Sequence, residues 1–171
     1  MAESVQDKIA RSLQTANDLY YRLILLVGEA GTGKTSVLRA VADRLDTEVL
    51  NLNLALSARL LDLSAKQRAL RLPKILDELI DPTQSTVILD NIEILFDRAL
   101  QQDPLRLLQG ISRNRAVVAS WSGKLSKGKL IYAEPGHPEY QSYELGNTLI
   151  VGMDGRSTID AAQAIESTRQ V

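Results

Sequence analysis

Hydrophobic positions change their period several times along the 171-residue chain, and each change marks an element. Val5, Ile9, Leu13, Ala16 and Tyr20 recur every three or four residues, so an amphipathic helix is expected over residues 2–20. The unbroken apolar run "RLILLVG" reads as a buried parallel strand. Val37, Val41 and Leu45 then share one face of "KTSVLRAVADRL", a second helix. "TEVLNLNL" (47–54) reads as strand and residues 55–80 as helix, broken near Leu72-Pro73, because the residue before a proline avoids helical geometry. "STVILDN" is a third strand, and "DPLRLLQGISR" a helix with Asp103 as cap and Pro104 at its first position.

"RAVVASW" is the fourth strand, expected to end at Ser120. The fifth is "KLIYAEP" or "NTLIVGM", unless these two pair as a hairpin-like extension. Ser157 and Asp160 resemble a capping box opening a last helix over 157–169. Strands alternating with helices predict an α/β fold: a three-layer parallel sheet of about five strands with helices on both faces. The expected organisation is a single domain over 1–171 with its core in 22–152 and no internal repeat.

Composition narrows the class only slightly. Hydrophobic residues at 44% and charged residues at 24% suit an ordinary globular chain with a sizeable core. No apolar run approaches the roughly 20 residues of a membrane span, and the polar start "MAESVQDKIARSL" is no secretory signal. Cysteine is absent, which removes disulfides and thiolate chemistry and is compatible with the cytoplasm, the expected location. A net charge of −1 advertises no polyanionic partner by itself.

"GEAGTGKT" (28–35) fits G-x-x-x-x-G-K-[ST] directly after a predicted strand and directly before a predicted helix, the context a P-loop requires. Phosphates would be met by backbone N–H groups across Gly28, Glu29, Ala30, Gly31, Thr32, Gly33, Lys34, Thr35 and Ser36, and by the positive end of the helix dipole. The Lys34 ammonium suits the β- and γ-phosphates, and the Thr35 hydroxyl suits Mg²⁺. Asp90 ends the apolar third strand, where ligands gather in open parallel sheets, and is the expected second metal-side residue. ATP with Mg²⁺ is therefore the expected ligand; no [NT]-K-x-D motif argues for GTP.

Hydrolysis needs a group that orients or deprotonates water. Asn91 follows Asp90 and lacks basicity, so it can only position water; the next carboxylate is Glu93. An extended chain would put Asn91 and Glu93 on one face near the γ-phosphate, whereas a helix from Ile92 would turn Glu93 to solvent as a first-turn carboxylate. Slow or partner-stimulated turnover is expected. In the additional-strand class of P-loop NTPases a polar residue ending the next strand senses the γ-phosphate, a slot that Ser120 fits. Arg113 and Arg115 are candidates for an arginine reaching a neighbouring subunit's phosphate, or are solvated surface residues.

No acidic residue lies between Asp103 and Glu134, while Arg106, Arg113, Arg115, Lys124, Lys127 and Lys129 do. That stretch could contact DNA, the nucleotide or an acidic partner, or be plain solvated loop, with "SGKLSKGK" expected to be mobile. His137, the only histidine, has no neighbouring ligands for a metal. Trp121 and Tyr143 are core or interface residues; the sequence does not separate the two.

The segments "GEAGTGKT", "LNLALSARLLDL", "ILDNIEILFD", "DPLRLLQGISRNRAVVASWSG" and "LIYAEPGHPEYQSY" together resemble BrxF, the small P-loop protein family of type 3 BREX bacteriophage-defence systems. The similarity runs from about Leu23 to Tyr143. It implies an ATP-binding component of a DNA-directed defence complex with other BREX-type proteins as partners, in which residues 28–35 hold phosphate and Mg²⁺ and Asp90 is the magnesium aspartate. About 18 residues follow the last strand, too few for the helical lid domain of ring-forming relatives, so an AAA-like core without that lid is expected. The competing readings are a small-molecule kinase, with "SGKLSKGK" as lid, and a nucleotide switch without turnover, for which Asn91 speaks. Strand order separates kinase from ATPase: a strand between the loop strand and the aspartate strand marks the ATPase class.

Overall fold

The computed structural model describes residues 3–160. Among these residues are seven strands: β1 (Leu23–Gly28), β2 (Val49–Asn51), β3 (Thr86–Asp90), β4 (Ala116–Ser126), β5 (Lys129–Tyr132), β6 (Gln141–Glu144) and β7 (Leu149–Gly152). Five of them form a parallel sheet in the order β2-β3-β4-β1-β7. Strand β4 therefore lies between the loop strand β1 and the aspartate strand β3, the order of the ATPase class rather than of the kinases. "NTLIVGM" supplies the fifth parallel strand, while "KLIY" joins the antiparallel extension β4-β5-β6.

Alternation along β1 explains the three layers. Leu23, Leu25 and Val27 point into one apolar core, Ile24 and Leu26 into the other. The second core is closed by α1 (Val5–Ala16) and α2 (Lys34–Arg44), with Ile9, Val37, Leu38 and Val41 inside. The first core is closed by α3 (Leu52–Leu60), α4 (Ala65–Leu79) and α5 (Pro104–Ile111), together with the 3-10 turn Ile92–Phe96.

Several boundaries differ from the sequence reading for identifiable reasons. Helix α1 starts on the Ser4 cap, whose side chain accepts from the Asp7 amide, and stops at Ala16, where the poor helix formers Asn17 and Asp18 follow. Tyr20 is thus outside the helix. Strand β2 is only three residues long because the Asn51 side chain caps α3 by accepting from the Leu54 amide. The break in residues 55–80 falls at Leu61–Ser64, where Ser64 and Gln67 form a reciprocal capping box.

Pro73 is tolerated inside α4. A proline cannot donate to the carbonyl four residues earlier, here that of Ala69, and the Gln102 side-chain amide donates to that oxygen instead at 2.8 Å. Strand β4 does not end at Ser120. Its ladder with β1 continues through Ser122↔Gly28, and Gly123–Ser126 then pair with β5. The expected mobile segment is a hairpin whose turn residues Lys127 and Gly128 both have positive φ, the two-residue turn that suits twisted strands. Residues Thr158–Asp160 begin a helix, and the remainder of the expected 157–169 helix lies outside the described residues. Among the described residues no helix is long and apolar enough to cross a membrane, and no helical bundle follows β7.

Candidate functional site

Residues 28–36 leave the C-terminal end of β1, turn, and enter α2. Gly31 and Gly33 have φ of +80° and +94°, where a side chain would be strained, and Gly33 caps α2 with no side chain in the way. The first amides of α2 consequently open toward the loop as donors, at the positive end of the helix dipole. The Thr32 hydroxyl donates to the Glu29 carbonyl at 2.7 Å and fixes the loop tip. Gly28 also admits a close neighbour: a Cβ there would lie 2.7 Å from the Met153 side chain.

Lys34 is buried, and its ammonium donates to the carbonyls of Gly28 and Glu29, both at 2.8 Å. Burial pushes its pKa down, while the carboxylates of Glu93 and Asp90 act in the other direction. The Asp90 carboxylate stands at the C-terminal end of β3 and accepts three hydrogen bonds. The Thr35 hydroxyl donates to Oδ2 at 2.6 Å, the Ser120 hydroxyl to Oδ1 at 2.7 Å, and the Asn91 amide to Oδ1 at 2.9 Å. A hydroxyl and a carboxylate oxygen in contact beside a phosphate-shaped loop form a hard, oxygen-only donor set. That chemistry fits Mg²⁺ with its retained waters.

Asn91 adopts left-handed backbone geometry (φ 53°) and accepts from the Asn53 amide through its carbonyl. The 3-10 turn then begins at Ile92, so the chain is not extended there. Glu93 nevertheless does not turn to solvent, contrary to the expectation tied to that geometry. It is half-buried, and Oε1 accepts from the Ser122 hydroxyl at 2.8 Å. The tighter 3-10 winding and the packing of Ile92, Leu95 and Phe96 into the core hold Glu93 on the cleft side.

A cleft of about 430 Å³ collects Ala30, Gly33, Lys34, Thr35, Glu93 and Ser122, together with Gly31, Ser36, Asp90 and Asn91. Ser120 is not on its wall: it is buried beneath, bonded to Asp90. The β4 hydroxyl that faces the cleft is Ser122, two residues on and on the same strand face. The sequence reading passed over Ser122 because it ended the strand too early; the Ser-x-Ser alternation was the available signal. Met153, which packs over Gly28 and donates its amide to the Val27 carbonyl at 2.8 Å, was also passed over.

Arg113 and Arg115 precede β4 at the edge where the parallel strands begin. The six-residue β1 separates them from the loop, about 20 Å at strand rise. Arg113 lies 4.7 Å over the Tyr20 ring, and the largely buried Arg115 sits 3.9 Å from Asp77. Neither faces this chain's own cleft. Of the remaining bases, Arg106, Lys124 and Lys129 are paired with Asp103, Glu134 and Glu144 at 3.5–3.8 Å. His137 accepts the Glu139 amide through Nδ1, and among the described residues no cluster of three metal-ligating side chains occurs. Trp121 is fully buried and Tyr143 half-buried, in an aromatic cluster with Phe96 and Tyr132.

Residues 24–118 match the model of the ATPase family associated with various cellular activities (AAA). Among solved structures, C. elegans PCH-2 is similar at 23% identity and a TM-score of 0.43, over 72% of this chain and 38% of that one. The chain thus spans well under half of that protein's length. No curated protein matches the chain.

Proposed function

The chain belongs to the AAA family of ATPases, with more than half of its length matching the family model, and on that premise we propose that it is a slow Mg²⁺-dependent ATPase. The observation that carries this reading is the contact of Thr35 with Asp90 at 2.6 Å directly beside the Lys34 ammonium. It juxtaposes a phosphate charge partner and a metal donor pair in one cleft. Mg²⁺, when bound, neutralises charge on the β- and γ-phosphates.

Lys34 binds phosphate as a point charge, and the loop amides orient it. Thr35 and Asp90 would hold the metal, while Ser120 and the Asn91 amide orient the Asp90 carboxylate. Glu93 accepts the proton of the attacking water, and Ser122, on the opposite wall, fixes the Glu93 side chain. Asn91, at the position directly after the aspartate, contributes no base, which keeps turnover low. The resemblance to BrxF extends the proposal to a place in a phage-defence assembly. A Lys34→Ala allele that still protects cells against phage contradicts that extension.

The catalytic reading is tested by phosphate release from wild type, Glu93→Gln and Asn91→Glu. Glu93→Gln should retain ATP binding and lose about a hundredfold or more in kcat, the range of general-base contributions. Unchanged kcat removes Glu93 from the mechanism. A second reading, a switch that binds without turnover, is favoured by Asn91 alone and predicts tight ATP binding with no phosphate released by wild type.

A further inference from the structure

At the edge of the sheet where the parallel strands begin, opposite the ATP cleft, lies a second cavity of about 320 Å³. Its rim carries Tyr20 and Tyr21, which are 65% and 40% exposed. The chain has only five tyrosines, one phenylalanine and one tryptophan. Four of these aromatic residues pack together around Trp121, so two adjacent rings left in water need a reason. Their centroids are 4.8 Å apart in an edge-to-face arrangement, and the Arg113 guanidinium lies 4.7 Å over Tyr20. Arg113 covers one face of Tyr20, and rings so braced lose little further side-chain freedom when a partner stacks on the surface that remains exposed.

Charge and polarity around the rings are specific. Among the described residues neither Arg22 nor Arg113 has an acidic partner, and the Arg22 guanidinium donates to the Arg113 carbonyl at 2.9 Å, fixing the two together. The one acid on the cavity wall, Glu144, is answered by Lys129 at 3.5 Å. Gln109 and Asn147 also line the cavity, and among the described residues no hydrogen bond engages either side-chain amide. An amide offers a donor and an acceptor side by side, the complement of a base edge.

We propose that this edge binds single-stranded nucleic acid, with a base stacked on Tyr20, the next base edge met by Gln109 and Asn147, and the backbone phosphate held by Arg22 and Arg113. Exposed stacking faces beside unpaired cations are what an unpaired strand requires; a duplex keeps its base faces hidden. The site is distinct from the basic stretch noted in the sequence, of which it uses Arg113 only. It does not depend on ATP hydrolysis.

The test is fluorescence anisotropy of labelled twelve-residue oligonucleotides, dT and U single strands and a mixed-sequence DNA duplex, with the full chain at low salt. Single strands should bind tighter than duplex, and the dT and U arms show whether DNA or RNA is preferred. Tyr20→Ala should weaken binding about tenfold, the scale of one lost base–aromatic stack. Tyr20→Phe should restore it, and Arg113→Gln should weaken it and flatten its salt dependence. Because both rings are exposed, Tyr20→Ala should melt with wild type and bind ATP equally. Duplex binding as tight as single strands, or Tyr20→Ala binding like wild type, overturns the proposal. So does loss of a protein partner in Tyr20→Ala with no oligonucleotide binding by wild type.

Discussion

Replacing Ser120 by alanine separates the support of the metal-side carboxylate from the chemistry in the cleft. The hydroxyl is buried and donates to Asp90 Oδ1 at 2.7 Å. Alanine leaves a shape almost unchanged, so packing loss is small and the effect isolates one hydrogen bond to a charged group. Such a bond contributes about 1.5–3 kcal/mol. Asp90 keeps its bonds from Thr35 and the Asn91 amide, which places the expected loss near the lower end, about 2 kcal/mol. Urea denaturation of the apo protein reads this as a lower midpoint with unchanged slope. The same variant should bind ATP more weakly in Mg²⁺, since an under-supported carboxylate holds the metal less firmly, and much less affected in EDTA. Ser122→Ala, half-buried at the cleft wall, should leave the midpoint nearly in place and lower kcat instead. A Ser120→Ala midpoint within about 0.5 kcal/mol of wild type would refute the assignment of that hydroxyl as the carboxylate's anchor.

Three further outcomes follow from single contacts. Gln102→Ala should cost about 1 kcal/mol by urea denaturation, because it strands the Ala69 carbonyl that Pro73 cannot serve; an unchanged midpoint would show that water replaces the amide. Burial, with Glu93 and Glu139 behind it, pushes Tyr132 up to about 12. Its contribution is therefore complete below pH 10 and is lost as pH rises from 10 toward 12, since the unfolded chain releases that proton first. Tyr132→Phe should flatten the alkaline limb of a stability–pH curve, and an identical limb in both proteins contradicts this. The lowered Lys34 pKa has the opposite sign, adding stability as pH rises through it toward 10.5. Because Glu93 opposes that lowering, Glu93→Gln should drop the Lys34 pKa further in a ¹³Cε-lysine NMR titration, and a shift upward would place Glu93 away from the ammonium.

Local signals in the chain went far toward this architecture. The P-loop string, its flanking strand and helix, and the apolar run ending in Asp90 carry their own geometry, because glycine conformations, helix dipole and strand alternation are properties of neighbouring residues. The β2-β3-β4-β1-β7 order was accessible only as a conditional, since which strands pair depends on faces separated by tens of residues. Reach across the chain also decided the misreadings. Pro73 reads as a helix break until Gln102, 29 positions on, takes the orphaned carbonyl. For Glu93 the sequence leaves two placements open, cleft or solvent, and Ser122 on a different strand holds it on the cleft side. "SGKLSKGK" has the composition of a mobile loop, yet its consecutive residues Gly123–Ser126 pair with β5 once Lys127 and Gly128 accept positive φ.

Calorimetric titration of Mg²⁺–ATP into wild type and Lys34→Ala tests the phosphate site most directly. Lys34 supplies the one buried cation of the loop, so the alanine variant should keep its fold by circular dichroism and lose at least about tenfold in affinity, the scale of one charge-assisted contact. Equal affinity in the two proteins would contradict the account.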